Sequence, residues 1–165
     1  MTTIKSKFID SAMATDQEIA DKMVANVGMM FMNGNSTATT ISAQNTFYKA
    51  SGTTSANSSN KNFSHTSNKL TYTGTPTKMF IVTVCATLTG TSGESAAIRI
   101  AKNGTTIAGT HFATSINGVA MTQGYFQLAT NDYIEVFVLN ASSTNSITVY
   151  NLNVIARSVT YFDVP

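Results

Sequence analysis

The chain has 165 residues, 42% of them hydrophobic, which is one domain's length with enough apolar material for a substantial core. Only 11% are charged, the net charge is +2, and the ten basic residues are scattered from Lys5 to Arg157, so the basic run that marks a nucleic-acid binder is missing. A single cysteine, Cys85, excludes an internal disulfide and a cysteine-based zinc cluster, and no apolar stretch is long enough to span a bilayer.

Residues 1–27 differ in composition from the rest of the chain. Four of the eight acids, Asp10, Asp16, Glu18 and Asp21, lie here, and the next acid is Glu94. Thr15-Asp-Gln-Glu18 has the form of a capping box and Gly28 sits where a helix would stop, so a short helix is expected over 16–26. Ile19, Met23 and Val27 recur at i, i+4 and i+8 and give it a narrow apolar stripe, too small to be a core. Such a helix either packs on its own domain or docks on another protein. With Phe8 and Ile9 these three residues make 1–27 a candidate attachment arm. The stretch lacks the apolar centre of a secretory signal, so none is expected.

From Gly28 the helical period gives way to short apolar runs between polar turns, the pattern of an all-β domain over 28–165. The expected strands cover 28–32, 38–50, 69–74, 78–90, 95–102, 105–110, 123–129, 132–140 and 146–158. Residues 51–62, SGTTSANSSNKN, read as an exposed loop. In IRIAKNGTTIAGT, residues 98–110, Asn103-Gly104 reads as a type I′ hairpin turn, because both central positions need φ > 0. That turn sets Lys102 opposite Thr105, Ile100 opposite Ile107 and Arg99 opposite Ala108, with the two isoleucines on one face. Because Gly-Gly supports the same turn, Asn103→Gly is expected to be nearly neutral.

Two strands carry apolar residues on both sides. In YIEVFVL, Ile134, Val136 and Val138 point one way, and Tyr133, Phe137 and Leu139 the other, interrupted only by Glu135. In MFIVTVCATL, Phe80, Val82, Val84 and Leu88 oppose Met79, Ile81 and Cys85, and Cys85 reads as a small buried hydrophobe. Antiparallel sheets of a lone domain usually leave one face to water, so the second face is expected against another subunit, or beneath the arm or the long loop.

Catalytic constellations are missing. His65 and His111 have no partner at metal-ligand spacing, and no nucleophile elbow, phosphate-cradling loop or EF-hand occurs. Asp132 with Asn131 reads as a turn, and Glu135 as an interruption of a strand. No catalytic residue, metal or cofactor is expected, and the chain reads as a non-enzyme.

The order of segments over 78–158 resembles the tumour-necrosis-factor-like jelly roll, in its complement globular-head branch. A long apolar strand (KMFIVTVCATLTG) leads to a strand ending in a Lys-Asn turn (IRIAKNGTTIAGT). An acidic turn and an aliphatic-aromatic strand come next (YFQLATNDYIEVFVLN), and ITVYNLNVIARSV closes the sandwich. The resemblance implies an antiparallel jelly roll of about ten strands, packed as a homotrimer. It also implies that Tyr133, Phe137 and Tyr125, with Leu139 on the same side of its strand, lie at the trimer interface. Many phage virion proteins share this pattern, and SKFIDSAMATDQEIADKM is similar to N-terminal segments of phage tail and head appendage proteins. Tryptophan and a collagen repeat are absent, so the extracellular-ligand role of the animal members does not carry over. The implied function is a phage virion structural protein: a trimeric capsid decoration, or cement, protein on the capsid exterior. Its arm, including Phe8, Ile9, Ile19, Met23 and Val27, would contact the major capsid protein. The alternative is a receptor-binding tip or fibre module that recognises a host surface. Neither reading calls for nucleic acid or membrane as a partner.

Overall fold

Strand β6 (Lys78–Thr89) shows how the sequence builds the sandwich: Phe80, Val82, Val84, Ala86 and Leu88 are buried, and the residues between them are half-exposed. That period of two belongs to a sheet with one face on a core. In this computed structural model the structure describes residues 26–159, which form twelve strands and one 3-10 turn, Ala108–Thr110. A five-stranded sheet runs in the order β10 (Val119–Leu128), β6, β12 (Thr148–Ser158), β1 (Val27–Met32) and β3 (Ser55–Ala56). A seven-stranded sheet runs β4 (Phe63–Thr66), β5 (Lys69–Tyr72), β11 (Tyr133–Asn140), β7 (Ser95–Lys102) and β8 (Thr105–Thr106), with β2 (Tyr48–Lys49) on β11 and β9 (Phe112–Ser115) on β7. All the pairings are antiparallel, and neighbours are mostly distant in sequence, as in a jelly roll. One core lies between the sheets, closed at one end by the rings of Phe63, Tyr72 and Phe80, whose centroids are 4.9 to 5.4 Å apart.

β6, β7, β11 and β12 fall where expected, β10 starts at Val119 rather than at 123, and the short strands depart. Val27 opens β1, paired with Arg157 in β12 and bridged to Lys61, so it belongs to the sheet rather than to a helical stripe. Asn26 precedes β1 and is buried, its amide N–H donating to Ser158 Oγ. The rest of the expected helix 16–26, with Ile19 and Met23, and also Phe8 and Ile9, lies outside the described residues.

Residues 38–50 do not form one strand. Thr39 makes a single bridge to Ile147, Asn45 turns the chain at φ +60°, and only Tyr48–Lys49 join a sheet. Here the hydroxyls compete for the backbone: Thr39 Oγ1 accepts the Ser51 N–H at 2.9 Å. The expected loop 51–62 carries β3, and Thr54 is buried beneath it, hydrogen-bonded to His65 and Asn68. Ile107 stays opposite Ile100, to whose carbonyl its N–H donates, yet it is exposed, because the ladder ends at Thr106 and the chain winds into the 3-10 turn.

Both ends of the described domain lie at one pole. Ser158 N–H donates to Asn26 O, and Val159 N–H to Met79 O. The 73–77 loop, the Asn103-Gly104 turn and the 129–132 loop share this pole, since they follow strand ends in register with it. Residues 90–94, 116–118 and 141–146 make the opposite pole.

Candidate self-association surface

The residues that alternate with the core on the five-stranded sheet are themselves largely apolar. On β10, Val119 is 59%, Met121 57% and Tyr125 66% exposed, and on β1 Phe31 is 41% exposed. Met79, Ile81 and Cys85 on β6, Ile155 on β12 and Met29 on β1 are half-exposed, so Cys85 is not the buried hydrophobe that its sequence context suggests. Strand register sets them in rows: Tyr125, Ile81, Arg157 and Val27; Thr83, Ile155 and Met29; Met121, Cys85, Asn153 and Phe31. Apolar residues open over four neighbouring strands make a contiguous patch of the kind that monomers rarely leave to water and that marks an interaction surface.

The surface continues round the β10 edge. The 3-10 turn and β9 run along β10, and a threonine stitch holds them there. Thr110 Oγ1 accepts the Ile100 N–H at 2.9 Å and donates to Ile107 O at 2.8 Å, while Thr122 Oγ1 donates to Thr110 O at 2.8 Å. Ile107 and Phe112 are left exposed on this edge.

Of the four interface residues inferred from sequence, Tyr125 is on this face. Tyr133, Phe137 and Leu139 are on the outer face of the other sheet, so the four do not form one surface. That second face is covered by the chain itself. Leu139 is 5% exposed; Glu135, 3% exposed, is paired with Lys49 at 2.6 Å; the Lys69 ammonium lies 4.1 Å from the Tyr133 ring centroid. The Arg99 guanidinium lies 4.4 Å from the centre of the Phe47 ring, whose edge-on partner is His111. Two-sided alternation is legible in sequence for β6 and β11 alike; which outer face other segments then cover is not. β10 carries the same signal in VAMTQGYFQL, where Val119 and Met121 alternate with Ala120.

The hairpin turn is built as scaffold. Asn103 and Gly104 have φ of +52° and +79°. Asn103 Oδ1 accepts the Tyr133 N–H at 2.9 Å and its Nδ2 donates to Asp132 Oδ1 at 2.6 Å. Asp132 also pairs with Lys102 at 2.8 Å and accepts the Ala129 N–H. Burial pushes the Asp132 carboxyl up, but Lys102, Asn103 and the Ala129 amide together hold it below the usual range. At the opposite pole hydrogen bonds from Asn140, Ser143 and Asn145 hold Glu94 below its usual range as well. Burial lowers His65. Among the described residues no group of His, Cys, Asp and Glu could hold a metal ion, and no helix is long and apolar enough to cross a membrane.

No family model and no curated protein matches this sequence. Solved structures do. Murine APRIL aligns with a TM-score of 0.56 at 9% identity, over 81% of this chain and 100% of that one. The globular domain of zebrafish complement 1qA protein aligns at 0.50 and 12% identity, over 82% and 98%. The PRD1 vertex protein P5 is a more distant match, at 0.49 and 11% identity, over 82% and 73%. The chain has the antiparallel jelly-roll fold of the tumour-necrosis-factor-like and complement-head-like proteins. At these identities the likeness is one of fold.

Proposed function

We propose that the chain is a structural protein of a phage virion: a homotrimeric capsid decoration protein on the particle exterior, held to the major capsid protein through residues 1–27. The observation that carries self-association is the open apolar face of the five-stranded sheet, which gains most from a cover. The face and the β10 edge, with Ile107 and Phe112, are different surfaces of one copy. The edge of one copy seated on the face of the next is a head-to-tail contact, which closes into a ring of three when the rotation between copies is a third of a turn. The virion assignment rests on the likeness of SKFIDSAMATDQEIADKM to phage appendage segments. The described domain begins and ends at one pole. Three weak arms then hold firmly, since the second and third bind at high effective concentration.

Catalysis, metal and cofactor have no part in this reading. Cryo-electron microscopy of intact particles tests it, with density for the sandwich expected on the head lattice. Density at a tail or fibre tip would favour the receptor-binding alternative, and a chain missing from particles would overturn both.

A further inference from the structure

We propose that the pole from which both ends of the domain leave is itself a docking surface for an acidic protein surface of the particle, engaged by Lys61 and Arg157. The inference rests on the virion reading and adds a second footprint to the arm. Of the Lys and Arg residues in 26–159, Lys49, Lys69 and Arg99 lie on the outer face of the seven-stranded sheet. The other four, Lys61, Lys78, Lys102 and Arg157, are all at this pole, where the one acid among the described residues is Asp132, already bound to Lys102. The opposite pole has no Lys or Arg among its described residues, and it carries Glu94. The charge of the domain is therefore polarised along the sandwich.

Lys61 and Arg157 are placed for this use. Both are exposed, and they flank Val27 on its two sides. Val27 N–H donates to Lys61 O at 3.3 Å, Lys61 N–H donates to Val27 O at 2.8 Å, and Arg157 faces Val27 across the β1–β12 ladder. A guanidinium matches a carboxylate in a two-pronged contact. A duplex nucleic acid fits less well, since two exposed cations per copy neutralise few phosphates and the pole offers no helix for a groove.

The test uses the full chain and particles from which it has been stripped. Wild-type binding should weaken about tenfold or more between roughly 0.05 and 0.5 M NaCl, as the screening length shrinks. Lys61→Glu should lose a similar factor at low salt and show a flatter salt dependence, with sedimentation and the circular dichroism spectrum unchanged. Arg157 stands in a row of the self-association face, so its own test is Arg157→Lys, which keeps the charge and loses the two-pronged contact. Binding that ignores both salt and charge reversal would overturn the docking pole and leave the virion reading standing. A wild type that does not rebind stripped particles would overturn both. Salt-sensitive binding to a duplex oligonucleotide, lost in Lys61→Glu, would assign the pole to phosphates instead.

Discussion

Asn103 does more than turn the chain. Its sequence context calls for φ > 0 and nothing else, and on that ground glycine would serve. In the structure both ends of its amide are engaged, one tying the turn to the Tyr133 amide and the other to Asp132. Asn103→Gly is therefore expected to cost about 1 kcal/mol rather than nothing, the net worth of bonds partly open to water. Gly104→Val should cost roughly 1–3 kcal/mol through the backbone, because its φ is +79° and its added Cβ meets nothing closer than 3.8 Å. Urea denaturation of the two variants measures both. Asp132 and Glu94 give a pH dependence of fixed sign. Each carboxyl is held below its unfolded value, so the stability it contributes is present above about pH 4 and is lost as pH falls through its folded-state value. Melting temperature should fall between about pH 5 and pH 3, and Asp132→Asn should flatten part of that fall. An unchanged slope in that variant would place the acid sensitivity elsewhere.

Among the elements, length decided what the sequence disclosed. β6, β7, β11 and β12 each run for eight residues or more, long enough for an apolar run between polar turns to read as a strand. β2, β3 and β8 have two residues each, and β4 and β9 four, too short to carry a period; they exist because distant strands offer an edge. The β10 edge is the clearest case, since what closes it is Thr110, in a stretch that reads as plain strand. Thr110→Val keeps the shape and removes the acceptor for the buried Ile100 amide, which should cost about 1–3 kcal/mol. Gly124→Ala strikes the same stitch from the other side, placing a Cβ 2.7 Å from Thr110 Cγ2, with a similar expected cost. Hydrogen exchange would show the difference: the Ile100 amide should lose protection in Thr110→Val, and unchanged protection would mean that the stitch is not what holds that edge.

For the whole molecule, two outer faces compete for the role of interface, and the sequence could not rank them. Tyr133, Phe137 and Leu139 and the residues on β6 share the same two-sided alternation. Lys49 and Phe47, which reach Glu135 and Arg99 on the seven-stranded sheet from a distant segment of the chain, decide that its face is covered within one chain. The two faces give opposite expectations for one substitution. Met121→Asp would bury a carboxylate in an interface built on the five-stranded sheet, costing several kcal/mol per copy, enough to make the protein monomeric at micromolar concentration. Its own fold should survive, since Met121 is 57% exposed in one chain. Phe137→Asp introduces its charge on the opposite outer face, across the ladder from Arg99 and Lys49, and should leave the proposed trimer intact. Sedimentation velocity on the two variants, with circular dichroism to show that each is folded, separates the cases. A monomeric Phe137→Asp beside a trimeric Met121→Asp would return the interface to β11, and a wild type that is monomeric and stable would remove the open face as its cause.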